Sequence, residues 1–382
     1  MSRLARQPPP RVAVVAEFYP RRADPVLGVW AHRQALAACD AGAEIDVFVL
    51  SRVVGRRSQA FRAAFLQPPR ETLDGLMVRY VRYVSPPRGL SYAQWGAWAA
   101  PALRRALREA GPFDLVHAHN AVPAGAAALR SLGVPLVVSV HGGDVLWTVS
   151  QVPRGEAVVR RVFGAARMVL ANSGGIESLA QGFGARETRV VHLGTDLPAD
   201  VVRSPTPLIA TVGHLVARKR HDDVLRALAE LDGVRYLVVG DGPERAALER
   251  LAGELGITER VEFTGQLEPA QALARSREAW VMAMPSTAEA FGVAYVEAMA
   301  AGIPAIGCEG EPGPAEIAAC GEGMLTVPPR DPAALASTLR ALLDDEAERA
   351  RLGAGARATV ERSFSWRQCG VATVAAYEAA LA

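Results

Sequence analysis

Two series of short apolar, β-branched runs alternate with stretches of helical spacing along the chain, and this alternation limits the fold more than any other feature. In the first series, strands are expected at Arg11–Ala16, 45–50, Leu115–His119, Leu136–Val140 and Met168–Ala171, with helices over 30–41 and 124–132. A second series follows the segment Arg203-Ser-Pro-Thr-Pro207. Its strands are expected at Leu208–Val212, 236–239, 261–264, 280–284 and 304–307, with helices over 222–231, 243–255 and 331–351. Consecutive strands separated by helices pair in parallel and need helices on both faces, so each series predicts a doubly wound α/β domain. A chain of 382 residues is too long for one ordinary core and fits two. The expected division is a disordered tail at 1–10, a first domain at 11–203, a second at 204–363 and an apolar helix at 364–382. The tail holds two Arg and three consecutive Pro without an apolar segment.

Composition narrows the function. The formal net charge of +2, with 21% charged residues, offers no argument for nucleic acid as a partner. Cys39, Cys308, Cys320 and Cys369 are widely spaced and have no His cluster near them, so neither a disulfide framework nor a zinc site is expected. A cytoplasmic location fits this cysteine usage. No run of about 18 apolar residues occurs. No Asp-x-Asp pair is present to hold a divalent ion against a diphosphate, and no G-x-S-x-G to supply a nucleophilic serine. No metal or cofactor is expected. Of the 42 basic residues only Lys219 is lysine, which points to a need there for a compact ammonium on a flexible stem.

Chemistry concentrates in the stretch from Pro285 to Pro304. Glu289 and Glu297, eight positions apart, flank Phe291, Gly292 and Val293, where a loop becomes a helix. Backbone N–H groups unpaired at a helix start, together with the positive end of its dipole, form a seat for a pyrophosphate. Glu297, one turn in, would accept hydrogen bonds from ribose hydroxyls, and Glu289 from a sugar on the far phosphate. Solvated glutamates on an ordinary helix are the structural alternative.

The complete string, Pro-Ser-x-x-Glu-x-Phe-Gly followed by Glu-Ala-Met-Ala-x-Gly-x-Pro, resembles the donor-binding signature of the retaining glycosyltransferases of family 4. The resemblance runs from Arg11 to the final helix. It implies the GT-B fold, two Rossmann-like domains facing a central cleft, with the last helix crossing back to the first domain. It also implies transfer of a sugar from a UDP- or GDP-sugar to a hydroxyl of a glycan, lipid-linked or small-molecule acceptor, as in polysaccharide biosynthesis. Gly213-His214-Leu-Val-Ala-Arg218-Lys219 follows a strand and matches a family loop that usually reads Gly-Arg-Leu before its lysine. His214 stands in the place of the arginine, and Arg218 or His214 itself would supply the missing charge. Lys219 and Arg218 would then stabilise the leaving diphosphate.

Further residues enter through the same resemblance. Asp241, in Gly-Asp-Gly-Pro, and the backbone up to Leu267 would border the nucleobase. His141 and Asp144, in His-Gly-Gly-Asp, would face the donor sugar or acceptor. Gly28 resembles a glycine loop that lets backbone approach the diphosphate or acceptor, and His117 and His119 would be scaffold or rim residues. Eight Arg between positions 52 and 88, with Phe61, Ala64 and Phe65 at helical spacing, read either as a surface for an anionic membrane or as a solvated basic face. A sugar-nucleotide epimerase and a catalytically weak binding subunit remain alternatives.

Overall fold

The structure, a computed structural model, describes residues 8–53, 67–131 and 133–382. Arg56, Arg57, Arg62, Phe61, Ala64 and Phe65 of the arginine-rich stretch lie outside the described residues, as do residues 1–7 of the expected tail. The chain divides into one unit made of residues 1–193 and 366–382 and a second of residues 194–365.

The first unit carries a sheet of order β3-β4-β2-β1-β5-β6-β7-β8. Its strands are β1 (Arg11–Ala16), β2 (Glu44–Val53), β3 (Arg70–Leu73), β4 (Leu76–Val84), β5 (Leu115–His119), β6 (Leu136–Val140), β7 (Met168–Ala171) and β8 (Thr188–Val190). All pairings are parallel except the β3–β4 hairpin at one edge. β1, β5, β6 and β7 are buried almost throughout, as expected of parallel strands covered on both faces. Helices of eight or more residues are α1 (Val29–Asp40), α2 (Trp95–Ala110), α3 (Gly155–Ala165) and α4 (Gly174–Gly182). The helix expected over 124–132 is instead a π-helical turn, Ala121–Gly125, running into one short turn, Ala126–Ala128.

Leu208–Val212 (β9), Arg235–Val239 (β10), Val261–Gly265 (β11), Val281–Ala283 (β12), Ala305–Cys308 (β13) and Met324–Val327 (β14) build the second unit's parallel sheet, ordered β11-β10-β9-β12-β13-β14. The order steps outward from β9 in both directions, so the direction in which successive parallel strands are added reverses beside that strand. In such sheets, ligands gather at the carboxyl ends of the strands flanking this switch point. Around it lie α5 (His221–Ala229), α6 (Arg245–Glu254), α7 (Pro269–Ser276), α8 (Val293–Ala300), α9 (Pro312–Cys320), α10 (Pro332–Asp344) and α11 (Glu346–Ser363). Segment 203–207 belongs to this unit: Arg203 Nη1 donates to the Arg277 carbonyl at 2.7 Å, and Trp280 Nε1 to the Ser204 carbonyl at 2.8 Å. The final helix, α12 (Trp366–Leu381), packs on α1 in the first unit, burying Val374, Ala376, Tyr377 and Ala380 in that unit's core.

Candidate active site

In the second unit, the loop after β12 carries Glu289 to the mouth of α8. Its carboxylate is buried and tightly held: Lys219 Nζ lies 2.5 Å from Oε2, Ser286 Oγ donates to the same oxygen at 2.9 Å, and Arg218 Nη1 stands at 3.8 Å. Burial pushes the carboxyl up, but the charges of Lys219 and Arg218 and the serine hydroxyl outweigh it and hold Glu289 below its usual range. Two other contacts fix the loop. The Glu289 amide donates to Glu311 Oε2 at 2.8 Å, and the Thr287 amide to the Arg218 carbonyl at 2.8 Å. The only lysine in the chain is thus buried against Glu289 and 3.5 Å from Met284 Sδ. Arg218 beside it is exposed.

Helix α8 begins at Val293, after Gly292 in a left-handed conformation at φ +87°. A Cβ at Gly292 would stand 2.3 Å from Tyr295 Cδ2, so glycine is required for this entry into the helix. The helix start comes directly after the Lys219–Glu289 pair in the loop, and its first N–H groups have no partner within the helix. Lys219, from the loop after β9, and Glu289, from the loop after β12, therefore meet just ahead of this helix start in the chain. Phe291 contributes differently from Gly292 and Val293: its ring is buried against Phe364 at 5.6 Å between centroids, anchoring the loop. Glu297, one turn into α8, is half-buried, and its side chain makes no hydrogen bond among the described residues. Burial pushes its carboxyl up to about 7; Arg277 opposes this and Asp196 adds to it.

The other strand ends of the second unit assemble beside this loop. Gly213, His214 and Leu215 pair with the turn after β10: the Gly213 amide donates to Val239 and the Leu215 amide to Asp241, both at 3.0 Å. His214 is exposed. The exposed Asp241 side chain accepts from the Gly242 amide at 2.8 Å and has Arg245 Nη1 at 3.7 Å. The Gly240 amide donates to Gly265 at 3.1 Å, and the half-buried Leu267 follows two residues later.

In the first unit, His141 ends β6 half-buried, with Nε2 2.9 Å from His119 Nδ1 and the two rings stacked at 5.2 Å and 5°. Burial pushes His141 down to about 4, His117 to about 3, and His119 well below the usual value. His119 is therefore a direct partner of the candidate residue, whereas His117 is tied to Tyr377 at 2.7 Å and Ser139 at 2.8 Å in the core. With the imidazoles neutral, their shared hydrogen bond sets one ring as donor and the other as acceptor. Asp144 has a partner within the unit. Its buried carboxylate turns to the unit's own backbone, accepting from the Ala121 amide at 2.8 Å and capping the irregular turn there; burial pushes it up to about 7. Gly28, at φ +66°, also serves the fold. A Cβ there would lie 2.2 Å from the Phe18 carbonyl carbon, so the close approach it permits is to its own chain. Arg52 and Arg82 of the arginine-rich stretch bond Ser85 and Gln67, and Arg79 pairs with Asp46, leaving these three half-buried rather than forming an open basic face.

Ser286, Met284 and Glu311 carry no role in the sequence reading, and His119, expected as a scaffold or rim residue, is the hydrogen-bond partner of His141. Ser286 lies inside the Pro-Ser-x-x-Glu string and was within reach there. Glu311 comes to the site only through the β13–α9 connection, which no local spacing reveals. Among the described residues, no group of three or more His, Cys, Asp or Glu side chains is placed to hold a metal ion.

Comparison with known proteins places both halves of the chain. The model of "Glycosyltransferase Family 4" matches residues 10–198, and that of "Glycosyl transferases group 1" matches residues 198–359. The chain is 30% identical to D-inositol 3-phosphate glycosyltransferase 1 of Catenulispora acidiphila, over 93% of this chain and 91% of the relative. It is 32% identical to 2-deoxystreptamine glucosyltransferase of Streptomyces kanamyceticus, over 80% and 90%. A similar solved structure is Anabaena Alr3699/HepE in complex with UDP and glucose, with a TM-score of 0.74 at 20% identity, covering 97% of this chain and 99% of that one.

Proposed function

The chain belongs to the family 4, group 1 glycosyltransferases, with the GT-B fold, and on that premise we propose that it transfers a sugar from a UDP- or GDP-sugar, with retention of anomeric configuration and without a metal ion. The observation that carries the donor site is the buried Lys219–Glu289 pair, joined by Ser286 and Arg218, at the start of α8. An anionic diphosphate suits the ammonium, the guanidinium and the helix start together. As it binds, Lys219 exchanges part of its bond to Glu289 for phosphate oxygens, and the freed carboxylate oxygen accepts from sugar hydroxyls. Glu297 takes the ribose hydroxyls, the turn carrying Asp241 and the strand end near Leu267 take the base, and exposed His214 adds a donor to the phosphates. In the transition state, negative charge grows on the leaving diphosphate, and Lys219 and Arg218, already aligned, stabilise it without reorganising.

His141 in the first unit orients the acceptor or the sugar. The acceptor is a polyol or glycan hydroxyl, in keeping with the D-inositol 3-phosphate and 2-deoxystreptamine in the names of the two relatives. Four free cysteines support a reducing cytoplasmic location. Among the described residues no helix is long and apolar enough to cross a membrane. Product analysis with UDP-glucose and GDP-mannose, with and without EDTA, tests the proposal. Transfer with retained configuration and unchanged rate in EDTA supports it; inverted product or loss of activity in EDTA refutes those two parts separately.

A further inference from the structure

The carboxyl end of β1 in the first unit carries a second concentration of charge that the donor site does not use. Glu17 follows the last residue of β1, and Tyr92 Oη lies 2.8 Å from its Oε2. Burial raises its carboxyl, while the Tyr92 hydroxyl and three arginines, Arg88, Arg21 and Arg52, pull it back. Two of these arginines have structural work. Arg21 Nη2 donates to the Glu17 carbonyl at 2.9 Å, and Arg52 donates to Ser85 Oγ at 2.9 Å and to the Pro86 carbonyl at 3.1 Å. Arg88 has none. Its guanidinium lies 4.2 Å from the Tyr92 ring centre and 5.9 Å from those of Trp95 and Trp147, and it makes no hydrogen bond or ion pair among the described residues.

This is an unusual state for an arginine next to a carboxylate. Cation–π contact with the Tyr92 ring holds the guanidinium in place, and its N–H donors bond to none of the described residues. Arg88 is exposed and Trp147 is 46% exposed, so the cluster is open to solvent. Tyr92 joins the two groups, its ring carrying the Arg88 guanidinium at 4.2 Å and its hydroxyl donating to Glu17 at 2.8 Å, so a positive charge stands near an acceptor for hydroxyl hydrogens.

We propose that Arg88, seated on Tyr92, Trp95 and Trp147 beside Glu17, binds an anionic oxygen group, phosphate or carboxylate, on a polyol acceptor, while Glu17 accepts from one of that acceptor's hydroxyls. The inference rests on the reading of the first unit as the acceptor-binding unit. A planar fork with free in-plane donors pairs bidentately with such a group, and the aromatic faces cover the apolar side of a polyol ring.

The test is binding, measured calorimetrically on the full chain with UDP saturating the donor site. The probes are matched pairs: myo-inositol with myo-inositol 1-phosphate, glucose with glucose 6-phosphate, and glucose with glucuronate. Vesicles of phosphatidylglycerol against phosphatidylcholine form the arm for lipid-borne phosphate. The charged member of at least one pair is expected to bind more tightly than the neutral one. Arg88→Gln should weaken the charged member about tenfold or more, the factor carried by one charge-assisted hydrogen bond. Arg88→Lys, which keeps the charge and loses the fork, should recover only part. Arg88-dependent binding to the vesicles alone assigns the group to a lipid phosphate. Equal binding of charged and neutral probes in every arm, or affinity unchanged in Arg88→Gln, overturns the proposal. A protein that binds no UDP would instead overturn the donor reading, and the probe titrations repeated without UDP still decide the Arg88 question.

Discussion

Lys219 and Glu289 are worth most to each other while both are buried. Removing one partner leaves an uncompensated charge out of water, which costs about 3–5 kcal/mol for a buried pair. Lys219→Met should therefore lower stability by roughly 3 kcal/mol in denaturant unfolding. The double variant Lys219→Met, Glu289→Gln should recover most of that stability and none of the donor affinity. Equal stability of the single and double variants would show that the pair is not desolvated as described. Glu297 makes a separate claim about pH. Its folded carboxyl titrates at about 7, above the ordinary 4.5 of a glutamate. Between these values the unfolded chain has released its proton and the folded one has not, so stability falls as pH rises from about 4.5 to about 7. Glu297→Gln should flatten that part of the profile. Ribose hydroxyls need the ionised form as acceptor, so nucleotide affinity should rise through the same window in the wild type and stay flat in the variant. His141 acts in the opposite sense. Its folded value of about 4 lies below the ordinary 6.5, so the unfolded chain takes up a proton first and stability is lost as pH falls from about 6.5 to about 4.

At the level of elements, what could be read from sequence was what repeats. The buried strands β1, β5, β6, β7 and β9 are short apolar runs bounded by turns, and their positions follow from that pattern. The elements that escaped are set by partners distant in sequence. The edge strand β3, Arg-Glu-Thr-Leu, lacks the apolar run of the buried strands, and β4 is tied to β2 by the Arg79–Asp46 pair. The expected helix over 124–132 yields to a turn capped by Asp144, which arrives from another loop. The donor loop was legible because both glutamates, Ser286 and the helix start fall within one string of twenty residues. Lys219 was legible both as the single lysine of the composition and from the loop Gly213-His214-Leu-Val-Ala-Arg218-Lys219 that resembles the family's. Gly28 supplies the test at this scale: Gly28→Ala puts a Cβ against the Phe18 backbone at a positive φ, and should destabilise the entry to α1 by about 1–2 kcal/mol or more in thermal unfolding. An unchanged melting temperature would show that the loop relaxes freely.

Taken as a whole molecule, the chain keeps two cores, and its last helix belongs to the first of them. Truncation after Ser365 would expose Leu170, Val191 and their neighbours where Val374, Tyr377 and Ala380 now pack, so the first unit should unfold in native-state hydrogen exchange before the second. Uniform loss of protection in both would contradict this. The central claim is that the second unit binds a nucleoside diphosphate through the Lys219–Glu289 loop, and calorimetric titration of the full chain with UDP and GDP tests it most directly. The account predicts binding of at least one of the two by the wild type, with affinity reduced tenfold or more, roughly 1.4 kcal/mol or greater, in Lys219→Ala and in Glu297→Ala. Binding of equal strength by all three proteins, or by none, would contradict it.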